Sequence, residues 1–435
     1  MIGLNSLCRR ILNNKNIKNA GWLIAGKVIQ MAINFFIGIL TARYLGPANY
    51  GLISYAGSYA AFFYCISTLG INSVIVKEFI DMPAKEGMVL GTSLILRVVS
   101  SIFSAISIII ISFILDANEP ITKLVVILYS LSLFFQTIEL FNYWFQSKLQ
   151  AKFTAIASLI AYSVVAIYKF ILLIFNKPVT LFALSTSIDY IVLGVLLFYF
   201  YKKENGSRLS FSLDYAKHIL KKSYHFILPG LMVAIYGQTD KMMLKHMGND
   251  AEVGYYATAV SLCSVWCFIL SAIIDSLNPS IMKAYQDNEN DFIEYNKLLY
   301  FIIFYISIFV SFVFTIFGKL IIHTLYGEVY MPTVAPLRII TWYTAFSYLG
   351  VARNAWIICK DRQMYLKYIY LFSALLNIVL NLILIPKYGA IGAAVGSLVC
   401  QVSTIMIFPF FIKDFSENSL MIVEAILFKG VKLKK

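Results

Sequence analysis

Several ionisable side chains lie deep inside long apolar runs of this sequence. Lys27, Arg97 and Lys169 are the cations, and Glu139 and Asp189 are the anions. Each lies about two helical turns or more from the ends of its run. Charged groups at such depth are costly unless they have polar partners or face water. The pattern therefore predicts a water-filled cavity that binds a polar ligand or an ion.

The excess of cations on these segments favours an anionic ligand. Lys and Arg make charge-assisted hydrogen bonds with a diphosphate, whereas a neutral sugar has no charge to take part in such bonds. Helical spacing places uncharged polar and aromatic side chains on the same faces. Asparagine pairs such as Asn377 and Asn381 are instead interpreted as residues that pack between helices. The predicted cationic cavity set is Lys27, Arg97, Lys169, Arg338 and Arg43, and the polar or aromatic set is Gln30, Asn34, Tyr162 and Tyr236.

Four carboxylates have two interpretations that the sequence leaves open. They are either counter-ions of the cations or sites that bind a coupling ion. Arg43 is ambiguous in another way, because snorkelling from the end of its run explains it as well as ligand contact does. The four carboxylates are Glu139, Asp189, Asp240 and Asp275.

The elements that position these groups follow from the composition. The chain has 435 residues, of which 60% are hydrophobic and 13% charged, with mean hydropathy +0.77. A soluble domain has about 25% charged residues. The apolar runs are long enough to cross a bilayer as helices, and alternating barrel strands are absent. The sequence predicts an all-α polytopic membrane protein.

About twelve spans are predicted, all helical because hydrocarbon offers no partner to an unpaired backbone amide. The longest polar connection falls after the sixth span. The predicted spans are 18–43, 49–76, 88–115, 121–146, 152–175, 180–201, 219–245, 251–280, 293–317, 334–358, 364–385 and 389–412. Pro229 is expected to kink the seventh span.

The charge distribution predicts the orientation. The net charge is +14, but the basic residues do not cluster on a soluble face, so nucleic acid is not expected as a partner. With the N-terminus inside, cytoplasmic segments hold about 25 of the 36 Lys and Arg. The first apolar run is too long for a signal peptide and is interpreted as a retained span. The tail after residue 412 is predicted to be a basic amphipathic helix that meets membrane lipids.

No catalytic or cofactor motif accompanies these segments. The sequence contains neither a P-loop, nor H-E-x-x-H, nor a serine nucleophile elbow. The six cysteines form no C-x-x-C pair, and the four histidines are unclustered. We therefore predict no catalytic residue, no metal site and no cofactor.

Two similarities indicate an internal duplication. "YLGPANYGLISYA" after the first span matches "HMGNDAEVGYYATA" after the seventh, pairing Gly46 with Gly248 and Gly51 with Gly254. Spans five and six also resemble spans eleven and twelve. The sequence therefore predicts two six-helix halves with the same orientation in the membrane. The predicted domains are an N-terminal lobe 1–203, an inter-lobe loop 204–218, a C-terminal lobe 219–412 and the tail 413–435. Gly46 and Pro47 are predicted to form a tight turn, and Gly51 to permit close helix packing.

The twelve spans, the basic N-terminus and "ARYLGPANYGLISYA" at 42–56 together resemble Wzx-type oligosaccharide flippases of the multidrug/oligosaccharidyl-lipid/polysaccharide exporter superfamily. The resemblance implies two six-helix lobes around a central cavity. It implies alternating-access transport of undecaprenyl-diphosphate-linked repeat units to the outer leaflet of the bacterial inner membrane, for O-antigen of lipopolysaccharide or for capsule. Implied partners are the lipid-linked oligosaccharide, a polysaccharide polymerase and a chain-length regulator.

Two alternatives remain beside this interpretation. A cation-coupled drug or metabolite exporter would need a predominantly acidic cavity, whereas the charges found here are mixed and lean basic. A membrane-embedded polysaccharide polymerase, which is an enzyme, usually has a large outer loop with functional arginines, and the outer loops predicted here are short. A flippase driven by an ion gradient or the membrane potential is therefore the leading hypothesis.

Overall fold

The computed structural model describes residues 15–429, which form helices and no strand. Eight helical segments are long and apolar enough to cross a membrane, judged by length and composition. Two of these, Gly26–Thr68 and Gln363–Phe411, are divided by a glycine with non-helical backbone. Ile227–Met247 and Val334–Ala352 complete a set of twelve. The prediction of an all-α multi-pass membrane protein with about twelve membrane helices is confirmed.

The chain divides into two compact units. The first consists of the described residues up to Tyr44 together with Tyr55–Ala234, and the second of Leu45–Ser54 together with Ile235–Lys435 as far as they are described. Helices of the first half are α1 (15–45), α2 (47–68), α3 (Glu86–Leu115), α4 (Pro120–Ser147), α5 (Ala151–Ile174) and α6 (Val179–Lys203). The unit boundary lies inside the seventh helix; the lobe limits predicted from sequence stay a prediction.

The second half repeats the six-helix count and adds a helix at its end. Its helices are α7 (Ile227–Met247), α8 (Asp250–Asp287), α9 (Glu289–Tyr326), α10 (Val334–Ala352), α11 (363–388), α12 (390–411) and a tail helix (Ser416–Ile426). Side-chain caps fix two of the starts. Asn249 accepts from the Glu252 amide at 3.0 Å, and Asn288 accepts from the Asn290 amide at 3.0 Å.

The α1–α2 turn has the conformation that its residues predict. Gly46 has φ 69°, a left-handed conformation that glycine adopts without a Cβ clash, and Pro47 begins α2. A Cβ on Gly51 would lie 1.9 Å from the Asp250 carbonyl oxygen, and one on Gly254 would lie 2.0 Å from the Pro47 carbonyl oxygen. The predicted roles of Gly46, Pro47 and Gly51 are confirmed.

Several predicted span limits are wrong. The ninth span was expected to end at 317 but α9 runs to Tyr326, and the tenth was expected to reach 358 but α10 ends at Ala352. The second span was expected to reach residue 76, but α2 ends at Thr68 because Leu69 and Gly70 turn left-handed, with φ 52° and 68°. The seventh was expected to begin at 219, but a separate amphipathic helix ends at Ser223 and α7 begins at Ile227. Pro229 therefore lies in the first turn of α7, where proline is tolerated, and does not kink it.

That separate helix, Leu213–Ser223, is called the connecting helix. Its docking centres on Glu78, which is 1% exposed and accepts from Lys222 Nζ at 2.7 Å and from the Tyr215 hydroxyl at 3.2 Å. Burial, together with the negative charge of Glu78, raises the pKa of Tyr215 above its ordinary value. The phenol therefore keeps its proton and its hydrogen bond, which ties the connecting helix to the segment between α2 and α3.

The tail helix buries its apolar face against protein. Met421, Ile422 and Ala425 are between 0% and 3% exposed and belong to the second unit's hydrophobic core. The Tyr305 hydroxyl of α9 donates to the Ile426 carbonyl at 2.7 Å. The basic residues predicted to meet lipid after Lys429 lie outside the described residues.

Candidate functional site

A buried polar network occupies the first unit, and Arg97 of α3 is its centre. Arg97 is 0% exposed. Its Nη1 donates to Asn72 Oδ1 at 3.2 Å and its Nη2 donates to the Gln136 carbonyl oxygen at 3.4 Å. Within residues 15–429, its Nε has no hydrogen-bond partner. In this conformation the Arg97 side chain is therefore buried among protein groups and does not face an open cavity.

Glu139 of α4 supplies the negative charge next to Arg97. It attracts the guanidinium and lies next to Gln136 and Tyr64. Both neighbours are held in turn, because Tyr64 accepts from Asn72 Nδ2 at 3.1 Å and Gln136 Nε2 donates to the Tyr190 hydroxyl at 2.8 Å. Linked hydrogen bonds of this kind lower the cost of burying opposite charges near each other.

A second pair of opposite charges continues the network. Lys169 of α5 and Asp189 of α6 are half-buried and attract each other. Tyr162, also on α5, interacts electrostatically with Asp189 and Glu139 and lies near Gln30 of α1. The charges of Arg97 and Lys169 are thus offset within the unit. The structure brings together six sequence-predicted residues: Gln30, Arg97, Glu139, Tyr162, Lys169 and Asp189.

The first unit also contains a pocket of about 370 Å³ between α1, α4 and α5. Gly26 lets α1 approach α5 closely, since a Cβ there would already lie 3.3 Å from the Ala155 Cβ. Among the described residues, the pocket has one charged side chain and five uncharged polar ones. Its polar lining consists of Lys27, Gln30, Asn142, Gln146, Thr154 and Ser158.

In the second unit, the carboxylate of Asp240 on α7 is enclosed by hydrogen-bond donors. Oδ1 accepts from Asn381 Nδ2 at 2.6 Å and from Asn377 Nδ2 at 3.0 Å. Oδ2 accepts from the Ser397 hydroxyl at 2.5 Å and from the Tyr256 hydroxyl. Asp240 is 5% exposed, so these donors replace the hydration that it loses. Helices α7, α8, α11 and α12 meet at this one side chain.

This carboxylate borders a cavity of about 250 Å³. Lys241 lines the same cavity, and its Nζ donates to Gln238 Oε1 at 3.2 Å. Tyr236 lines it too, and its hydroxyl donates to Gln401 Oε1 and lies 3.4 Å from the Tyr343 hydroxyl. The second unit therefore offers an anion, a cation and several hydroxyls at one internal space.

Four predicted residues do not join either cluster. Their side chains are exposed, and neither described pocket includes them. For Arg43, whose α1 ends in the tight turn two residues later, exposure agrees with a snorkelling role. The four are Asn34, Arg43, Asp275 and Arg338.

Sequence reasoning missed part of the second cluster. Asn377 and Asn381 were interpreted as packing residues, but both donate to Asp240, so that interpretation was incomplete. Their spacing of four places them on one helical face, and a carboxylate elsewhere in a span is the signal that calls for such donors. Lys241 was detectable as a charge inside an apolar run. Ser397 and Tyr256 carry no signal without the tertiary structure.

The sequence profile of one family, described as polysaccharide biosynthesis protein, matches residues 17–285, more than half of the chain. The chain belongs to the polysaccharide biosynthesis protein family. This family member is 22% identical over 407 residues to the capsular polysaccharide biosynthesis protein CapF of Staphylococcus aureus, covering 91% of this chain and 99% of CapF.

Two solved structures have the same fold as this family member. The Lipid II flippase MurJ in an inward closed conformation matches with TM-score 0.69 and 15% identity, covering 94% of this chain and 92% of MurJ. An inward-facing multidrug resistance MATE family transporter of the MOP superfamily matches with TM-score 0.65 and 15% identity, covering 89% and 95%. At these identities the likeness shows a shared fold.

Proposed function

We propose that the protein is a flippase that moves undecaprenyl-diphosphate-linked oligosaccharide repeat units from the cytoplasmic to the outer leaflet of the bacterial cytoplasmic membrane. The observation that carries the proposal is the polar pocket of Lys27, Gln30 and Asn142 among membrane-spanning helices, in a member of a polysaccharide biosynthesis family. An internal polar space at this depth gives a hydrophilic headgroup a route that hydrocarbon denies it. The name of CapF and the fold shared with a Lipid II flippase support the same substrate class.

We further propose that an ion gradient supplies the energy and that the second cluster binds the ion. Asp240 is a carboxylate, and the Ser397 hydroxyl next to it adds an oxygen of the kind that hard cations prefer. Asn381 Oδ1, next to it, is buried without a hydrogen-bond donor in the described part of the chain. We assign Asp240 to binding the coupling ion, whose gradient drives alternating exposure of the binding site to the two faces of the membrane. Asp275 is exposed and lies outside this cluster, so its role in ion binding stays a prediction.

The remaining sequence predictions enter as parts of this proposal. Both termini lie in the cytoplasm, because the N-terminal, central and C-terminal segments hold most of the basic residues. Arg43 and Arg338 are exposed and available to the carrier's diphosphate, whereas Arg97 is enclosed. The transported repeat units are assembled into capsule or O-antigen by a polymerase together with a chain-length regulator.

The decisive experiment depletes the protein and follows the lipid-linked repeat units. We expect these to accumulate in the cytoplasmic leaflet while surface polysaccharide disappears. Re-expression of the full chain should reverse both effects. Unchanged surface polysaccharide and no accumulation would refute the proposal.

A cation exporter is the second candidate, because the Asp240 carboxylate faces a cavity that would suit an organic cation. This candidate predicts increased sensitivity to cationic drugs on depletion, with lipid-linked repeat units unchanged. Measuring both readouts in the same depleted cells separates the two functions.

A further inference from the structure

The pocket in the first unit has the chemistry of a carbohydrate site. Gln30, Asn142 and Gln146 each carry an amide that offers two donors and an acceptor, and Thr154 and Ser158 add hydroxyls. A sugar ring presents hydroxyl groups that both donate and accept, so this lining can satisfy it from several directions. Asn142 Oδ1 is buried without a donor among the described residues, which leaves an acceptor still to be paired.

The charge of the pocket argues against the diphosphate itself. A diphosphate carries at least two negative charges, and one lysine neutralises only one of them, which leaves a charge that is costly to take out of water. Among the lining residues that the structure describes, Lys27 is the one cation. The other two deep cations of the first unit interact with other groups, since Arg97 donates to Asn72 and Gln136 and Lys169 is attracted by Asp189.

The size of the pocket sets a further limit. Its volume of about 370 Å³ falls at the small end of ligand sites, which span roughly 300–1,000 Å³. That space suits one sugar ring and leaves no room for a whole repeat unit. Tyr162, one turn beyond Ser158 on α5, lies near Gln30 and adds an aromatic side chain close to the pocket.

We propose that this pocket holds one sugar ring of the transported repeat unit, bearing at most one negative charge that Lys27 pairs with. The inference rests on the proposed function and refines it: the site for the sugar lies in the first unit, and the diphosphate binds elsewhere. Selectivity for the sugar then depends on Gln30, Asn142 and Gln146.

The test uses the full-length protein in lipid nanodiscs and the variant Ser158→Cys. Its labelling by a maleimide is measured against the parent protein, alone and with an N-acetylhexosamine, a hexuronic acid or inorganic diphosphate. We expect at least one of the sugars to slow labelling by roughly fivefold at saturation, since it occupies the pocket, and diphosphate to have no effect. Protection by diphosphate alone, or by none of the three probes, would overturn the proposal.

Two further variants sharpen the result. Ser264→Cys places a thiol on the second unit's cavity, where the sugars should not alter labelling. Adding Lys27→Gln to Ser158→Cys should weaken hexuronate protection by roughly tenfold and leave the neutral sugar's effect unchanged. If both sugars lose protection equally, Lys27 does not pair with the hexuronate charge.

Failure of this inference is distinguishable from failure of the proposed function. If sugars do not protect but depletion still causes lipid-linked repeat units to accumulate, only the sugar site is wrong. If sugars protect and depletion leaves those lipids unchanged, the flippase assignment is wrong and the protein binds sugars for another purpose.

Discussion

Gly51 and Gly254 occupy corresponding positions in the two halves of the sequence, and they pack against each other: a Cβ on Gly51 would lie 2.7 Å from the Gly254 backbone nitrogen. The duplicated turns therefore meet in the second unit. A contact this close has no room for a side chain on either helix.

Gly51→Ala should destabilise the protein by about 2 kcal/mol, because the added methyl meets backbone that cannot move aside. The measurement is thermal unfolding in detergent. Gly38→Ala is the matched control, since a Cβ there has no neighbour within 4 Å. In a helix that control should be neutral or slightly stabilising. Equal melting temperatures for the two variants would contradict the close contact.

Arg97→Met should destabilise the first unit by about 3 kcal/mol, because it leaves the Glu139 charge without its counter-ion. Adding Glu139→Gln should recover part of that loss, and a double-mutant cycle measures the coupling free energy. Arg338→Met, at an exposed position, serves as the control. Additive effects of the two substitutions would show that the pair does not interact.

Asp240→Asn should abolish ion-dependent transport, lowering the rate at least roughly tenfold, because the amide lacks the charge that binds a cation. Transport of lipid-linked repeat units is followed in vesicles with an imposed sodium or proton gradient. Asp287→Asn is the matched control, as its side chain is exposed and it belongs to neither cluster. Gradient-driven transport by Asp240→Asn at the normal rate would remove Asp240 from the coupling mechanism.

The connecting helix should stay docked from neutral pH to about pH 10. Tyr215 has a raised pKa in the folded protein, so its contribution to stability is complete below the ordinary tyrosine pKa and declines as pH rises past it. Hydrogen exchange over Leu213–Ser223 reports the docking. Tyr215→Phe should increase exchange at neutral pH and remove the alkaline change. Undocking of the parent helix below pH 9 would contradict this.

The sequence by itself determined the class of protein and much of its helix order. Apolar runs of spanning length leave helix as the only state that pairs every backbone amide in hydrocarbon, so the count of about twelve followed directly. The turn at Gly46 and Pro47 and the packing of Gly51 also followed, because glycine and proline restrict or free the backbone locally. Helix limits at Thr68 and Ile227 did not follow, since apolar residues continue past them into short helices.

The tertiary structure decided which polar residues meet. Arg97 is predicted from sequence to be a cavity charge, but neighbouring helices bury it completely, next to the half-buried Glu139. Asp240 acquired partners from α8, α11 and α12, between 16 and 157 residues away. Helical periodicity gives the face on which a side chain lies, but it does not give the helix that this face meets. That depends on packing between elements distant in the chain, which is why the two clusters became visible only in the folded protein.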